Sequence, residues 1–213
     1  MKSSMGEPSK EKALVFAGAF NPITIAHLER ARYALSYIRY DKVVFVPSKS
    51  VYIQKVQEKD FAYQDEERLR RLNLVKEDYP FREVSDYELK QVVQPRTYLT
   101  LKALGKGYQK VSLLIGSDKL IELETGWKYV DEIGKEFGFV VRSRNGRDLK
   151  EIIQDSPYLK KRENYFTLIP PKTDYQDLSS SMVRKNRKQG KDVSSLVPKE
   201  IRKELLSYEK HEV

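Results

Sequence analysis

The sequence predicts a doubly wound α/β fold, a parallel sheet with helices on both faces. The first sign is a set of short apolar runs, Ala13–Ala17, Val43–Val46, Val111–Ile115, Phe137–Val141 and Phe166–Ile169. They are almost unbroken rather than alternating, as strands buried on both faces should be. The second is helical spacing between and after them: Leu28, Ala31, Leu35 and Ile38 recur at steps of three and four, as do Val197, Ile201, Leu205 and Tyr208. Third, strands alternate with helices, which implies right-handed crossovers and parallel pairing.

Taken in order, residues 1–12 are polar and read as a loose arm. Residues 13–213 then read as a single domain whose C-terminal part, from about 177 to 213, is helical. Between the second and third runs, Lys49 to Tyr63 is polar and irregular, and is expected to be a long loop. With no cysteine, thiol nucleophiles, disulfides and Cys-based zinc sites are excluded. No apolar stretch is long enough to span a bilayer, so no membrane partner is expected and the chain reads as cytoplasmic. The formal charge of +9 favours anionic partners, although much of it is spread as solvated surface.

An open parallel sheet binds its ligand beyond the carboxyl ends of its strands. The informative residues do follow the runs. After the first comes Gly18-Ala19-Phe20-Asn21-Pro22-Ile23-Thr24-Ile25-Ala26-His27. Gly18 permits close approach to the backbone, and Thr24 is placed to cap the next helix, whose first N–H groups attract anions. Thr24 and His27, three residues apart, share a helix face and can grip phosphate oxygens together, all the more if the imidazole is protonated. The plainer alternative makes Thr24 only a cap and His27 a satisfied buried histidine. A second anion site is suggested by Asp177 to Arg184, where Ser180, Ser181 and Arg184 cluster at a helix start. An ordinary cap on a basic, solvated helix explains that segment equally well. After Val111–Ile115, Gly116 and Asp118 suit ribose hydroxyls, or Asp118 caps the following helix. Trp127 is the one tryptophan, with a flat face able to stack on a ring or simply to pack.

Taken together, Gly18 to His27 resembles the (H/T)-x-G-H region of nucleotidyltransferases, and in particular of the nicotinamide/nicotinate mononucleotide adenylyltransferases. Ala26 replaces the frequent glycine before the histidine, and Thr24 stands where many members carry a first histidine. Leu178 to Arg184 is similar to that family's I-S-S-T-x-[IV]-R, with Ser181 where threonine is common. Gly190 to Pro198 looks like its G-x-x-[IV]-x-x-L-V-P ending, and Ile115 to Leu120 like its I-G-[AS]-D-x-L. The resemblance runs from about Leu14 to Tyr208 and implies a Rossmann-like fold.

It also implies roles. His27, Thr24 and Arg184 would be catalytic. Gly18, Phe20, His27, Gly116, Asp118, Ser180, Ser181 and Arg184 would bind ATP. Ala19, Phe20, Asn21, Thr97, Trp127 and Arg144 would bind the pyridine mononucleotide. Thr97 stands equally well as a helix cap after Pro95, and Arg144 as a loop cation. Lys49 and Lys55 could reach phosphate. The implied partners are ATP and a pyridine mononucleotide, not nucleic acid. Mg²⁺ would be held mainly through ATP phosphates with no protein ligand set, and family analogy adds a homo-oligomer. The implied reaction moves AMP from ATP to nicotinamide or nicotinate mononucleotide and releases pyrophosphate. Two alternatives stay open: a pantetheine-phosphate adenylyltransferase or cytidylyltransferase of the same fold, and a basic nucleic-acid-binding protein.

Overall fold

The computed structural model describes residues 9–55, 62–75, 78–143, 146–171 and 178–207. In chain order the elements are β1 (Ser9–Gly18), α1 (Ile25–Ile38), β2 (Lys42–Pro47), α2 (Ser50–Lys55), α3 (Asp65–Leu74), β3 (Arg82–Val84), α4 (Tyr87–Lys90), α5 (Thr97–Gly105) and β4 (Tyr108–Gly116). Then follow α6 (Ser117–Glu122), α7 (Val130–Glu136), β5 (Phe139–Arg142), α8 (Leu149–Asp155), α9 (Pro157–Lys160), β6 (Phe166–Ile169), α10 (Ser180–Lys188) and α11 (Lys199–Ser207).

The strands form one six-stranded sheet in the order β3-β2-β1-β4-β5-β6. The β1–β4, β4–β5 and β5–β6 pairs are parallel. This is the doubly wound, Rossmann-like arrangement expected, and its order reverses between β1 and β4. Burial explains the apolar runs: Ala13, Leu14 and Val15 in β1, Val43 to Val46 in β2 and Phe139 to Val141 in β5 are at most 3% exposed. At one edge, β6 is only partly buried. At the other, β3 is three half-exposed residues, Arg-Glu-Val, which carry no strand pattern and were not anticipated.

Compact contacts divide the described residues into two units. One holds those up to Phe16, Ala34–Val44 and Pro95–Pro171; its core includes Leu101, Leu113, Leu114, Ile133 and Phe139. The other holds Ala17–Tyr33, Phe45–Gln94 and the described residues from Leu178 onward, around Leu28, Phe45, Ile53, Leu72, Val197 and Ile201. In the latter, Glu204 of α11 pairs with Arg70 and Arg71 of α3.

Two expectations change. β1 begins at Ser9, inside the stretch read as an arm. The segment read as a loop from Lys49 contains α2, with Ile53 fully buried; six residues are too short to show helical periodicity. No helix among the described residues is long and apolar enough to cross a membrane.

Candidate active site

The first motif takes its shape from burial. Phe20 is 2% exposed, packs edge-on against His27 at 5.4 Å and lies tilted against Phe45 at 5.3 Å. Its ring lies over Gly18, where a Cβ would stand 3.3 Å from the ring. Phe20 holds φ at +44°, a left-handed conformation that a bulky residue keeps only when its surroundings over-determine it. Asn21 is fully buried, and its Oδ1 accepts from the Tyr63 N–H at 2.9 Å. The side chains of Phe20 and Asn21 are therefore structural, and any ligand contact made by these two falls to the backbone.

Thr24 caps α1 as expected: its carbonyl accepts from His27 and Leu28, and its hydroxyl lies 3.4 Å from the His27 N–H. The helix start offers anions less than the sequence suggests. The Ile25 N–H already donates to the Leu196 carbonyl and the His27 N–H to Thr24. The imidazole has a defined polarity. Thr24 N–H donates to Nδ1 at 3.2 Å, and the Thr24 hydroxyl is 2.7 Å from the same nitrogen. A nitrogen accepting a main-chain N–H carries no hydrogen, so in the neutral ring the proton sits on Nε2.

The C-terminal motif docks onto the first. Ser179 caps α10 by accepting from the Met182 N–H, while Ser180 donates to the Pro22 carbonyl at 2.7 Å. Arg184 donates to the Asn21 carbonyl at 2.7 Å and to the Ser181 hydroxyl at 3.2 Å. Groups about 160 residues apart in sequence, at positions 21–22 and 180–184, are thus joined by direct hydrogen bonds. The cap is Ser179, which leaves Ser180, Ser181 and Arg184 on the first turns with other work. Arg187, one turn on, donates to the Tyr63 hydroxyl.

In the other unit, Gly116 closes β4 in register with Arg142 of β5. Asp118 is not the cap of α6; that position is Gly116. Instead its carboxylate folds back over Gly116, with Oδ1 2.4 Å from where a Cβ would sit. An alanine there must push the carboxylate aside, at little cost to the backbone because only a side-chain end moves. On the ATP-binding role that the resemblance implies for Gly116 and Asp118, Gly116→Ala is expected to keep its unfolding midpoint while KM for ATP rises about tenfold, the scale of one misplaced charge-assisted hydrogen bond. Isothermal titration of ATP into folded protein checks this independently of turnover. Thr97 is the first residue of α5 and half-buried; the cap is Arg96, so the capping alternative for Thr97 does not hold. Trp127 is half-exposed in the connection between α6 and α7. Arg144 and Asp177 lie outside the described residues. Lys49 is not directed to a phosphate site: its Nζ donates to the carbonyls of Leu89 and Gln91 at 2.7 and 2.8 Å. Lys55 ends α2, exposed.

Sequence reading missed Arg68. It is fully buried in α3 and donates to the carbonyls of Tyr63 and Ala19 at 3.1 and 2.6 Å, to the Ser48 carbonyl, and to Asp65 at 2.7 Å. The available signal was the Asp65-x-x-Arg68 spacing, which puts opposite charges on one helix face. Burial disfavours the Asp65 charge, but the Ser50 N–H and the Arg68 guanidinium outweigh it and hold the carboxyl below its usual range. Burial lowers the pKa of Arg68, with Asp65 opposing. The sign follows for Asp65. Its folded pKa is depressed, so its stabilising contribution is complete above the unfolded value of about 4 and is lost as pH falls through the folded value. Urea midpoints measured from pH 6 down to pH 2.5 should fall less steeply for Asp65→Asn than for the parent.

Against known proteins, residues 15–186 match the cytidylyltransferase-like family model. Over 188 residues the chain is 34% identical to a protein of Caldicellulosiruptor bescii named "Probable nicotinate-nucleotide adenylyltransferase", covering 87% of this chain and 91% of that one. An equally named Clostridium tetani protein is 29% identical over 199 residues, covering 88% and 92%. Among solved structures, the Plasmodium falciparum nicotinic acid mononucleotide adenylyltransferase complexed with NaAD superposes with a TM-score of 0.69 at 19% identity, over 93% of this chain and 96% of that one. These matches agree with the motif geometry: the chain belongs to the cytidylyltransferase-like family and, within it, to the nicotinate-nucleotide adenylyltransferases, which are nucleotidyltransferase enzymes.

Proposed function

We propose that the chain transfers AMP from ATP to nicotinate mononucleotide, releasing pyrophosphate and leaving the dinucleotide. The observation that carries this reading is the docking of the serine–arginine motif on the Asn21 and Pro22 carbonyls, beside the Thr24–His27 pair in the chain. That docking gathers phosphate-binding chemistry from both ends of the sequence. The choice of acid over amide on the pyridine ring follows the names of the relatives.

In the proposed reaction a 5′-phosphate oxygen of the mononucleotide attacks the α-phosphorus in line. The bond from that phosphorus to the α–β bridging oxygen breaks, and pyrophosphate leaves with the electron pair. The nucleophile is already ionised near neutral pH, so the protein's task is alignment and charge stabilisation, not proton removal. His27 donates Nε2–H to an α-phosphate oxygen, and Thr24 orients the ring. Gly18 lets the phosphate approach the backbone, with Phe20 shaping that turn. The N–H groups at Ser180 and Ser181, the Ser181 hydroxyl and Arg184 hold the β- and γ-phosphates. Gly116 and the Asp118 carboxylate take the adenosine ribose. Trp127 stacks on the pyridine ring, and Thr97, Arg144 and the backbone of Ala19, Phe20 and Asn21 complete the mononucleotide side. Mg²⁺ would enter with ATP and help neutralise the charge of its phosphates. Among the described residues no group of three or more His, Asp or Glu side chains could hold a metal ion.

The test is kcat/KM, by pyrophosphate release, for nicotinate mononucleotide, nicotinamide mononucleotide and phosphopantetheine. We expect the acid to be preferred over the amide by at least about tenfold, the scale of one satisfied charge contact. Preference for the amide would overturn the choice of acceptor, and turnover of phosphopantetheine alone would overturn the pyridine assignment.

A further inference from the structure

We infer that Arg68 is a positioning residue for the proposed reaction, holding the Gly18–Asn21 backbone in the shape on which the phosphate contacts depend. The inference rests on the adenylyltransferase reading for its chemistry and on geometry for its mechanism. With no exposed surface, Arg68 cannot itself touch a nucleotide. Besides Asp65, its donors are spent on three carbonyls, one near in the chain at Tyr63 and two distant at Ala19 and Ser48, each in the same local web. The Ala19 carbonyl it binds immediately precedes Phe20, the residue held at φ +44°. The Ser48 carbonyl belongs to a residue whose N–H donates to Gly18 at 3.0 Å. The Tyr63 carbonyl belongs to a residue whose N–H donates to Asn21 Oδ1. One planar cation therefore braces positions 18 to 21 directly and through Ser48 and Tyr63.

Burying a guanidinium costs much more than burying an apolar side chain of equal size, and such a group earns its place by what it orders. Here it orders main chain, through a fork whose separated nitrogens reach three carbonyls at once. A lysine ammonium is a single point and cannot span them. Asp65 fixes the fork from behind and also accepts from the Ser50 N–H at 2.6 Å. Two proposed contacts stand on the braced segment: Arg184 donates to the Asn21 carbonyl, and the His27 ring packs against Phe20.

The test uses the full chain and three variants, assayed well below their unfolding midpoints. Arg68→Lys should lower kcat about a hundredfold, the size of a small misplacement of reacting groups, while KM for ATP stays within about threefold. Asp65→Asn leaves the carbonyl contacts available and should lower kcat by a smaller factor, about five- to tenfold. Tyr40→Phe removes a partly buried hydrogen bond to Ser112 elsewhere in the fold, and should lower the midpoint with kcat unchanged. A second readout needs no turnover. The chain has two histidines, so the imidazole NMR signals assign readily; that of His27 should shift in Arg68→Lys and Asp65→Asn and stay put in Tyr40→Phe. If Arg68→Lys does not fold, Asp65→Asn decides by the same two readouts. The inference is overturned if the folded Arg68 or Asp65 variants keep parental kcat and His27 signal, or if Tyr40→Phe loses kcat to the same degree. A parent inactive with both pyridine mononucleotides would instead fell the functional reading, and the His27 signal would still judge Arg68.

Discussion

Replacing His27 by alanine should lower kcat by about 10²–10³-fold with the fold intact. That is the usual loss when one preorganised donor to transition-state charge is removed. Thr24 supplies the preorganisation. Its N–H and hydroxyl both address Nδ1, which places the ring's proton on Nε2 and fixes the plane of the imidazole. The fold should survive, because position 27 lies in the first turn of α1 and alanine is the best helix former, although the buried Thr24 N–H and hydroxyl lose their Nδ1 partner at a cost of about 1–3 kcal/mol. Single-turnover rates together with far-UV circular dichroism check both halves of the statement. A folded variant with kcat within threefold of the parent would remove His27 from the chemistry.

For Arg184→Ala, kcat/KM for ATP should fall about 10³-fold, the larger loss because one side chain does two jobs. It brings the positive charge proposed for the leaving pyrophosphate, and it ties α10 to the Asn21 carbonyl. Arg184→Lys separates the two. A lysine restores the charge but cannot bond the carbonyl, the Ser181 hydroxyl and a phosphate from one planar fork, so it should recover only about tenfold of the loss. Full recovery by lysine would show that charge alone matters and that the tie to Asn21 does not.

What the sequence revealed and what it hid follow from physics that differs between residues. The central strands were legible because both their faces are buried, so Ala13 to Phe16 and Val43 to Val46 must be apolar throughout. β3 was hidden because an edge strand need not be apolar, and Arg82-Glu83-Val84 is half-exposed. α2 escaped because Ser50–Lys55 completes fewer than two turns. In the site, the motifs around Gly18–His27 and Ser180–Arg184 could be read from residue types, yet their union could not, since carbonyls at Asn21 and Pro22 make it and any residue carries a carbonyl. Asp118 lies two residues past the cap, Gly116, and residue types alone do not tell a capping carboxylate from one that folds back over that glycine, as this one does. Arg68 was the least legible. In sequence it is one charge among Asp65, Glu66, Glu67, Arg70 and Arg71, and its burial depends on acceptors at positions 19, 48 and 63.

The most direct test of the central claim follows two labels of ATP, one on the α-phosphate and one on the γ-phosphate, with nicotinate mononucleotide as acceptor. Transfer of AMP predicts that the α label enters the dinucleotide while the γ label leaves in pyrophosphate. The γ label appearing on the acceptor, or neither label moving with folded protein and Mg²⁺ present, would contradict it.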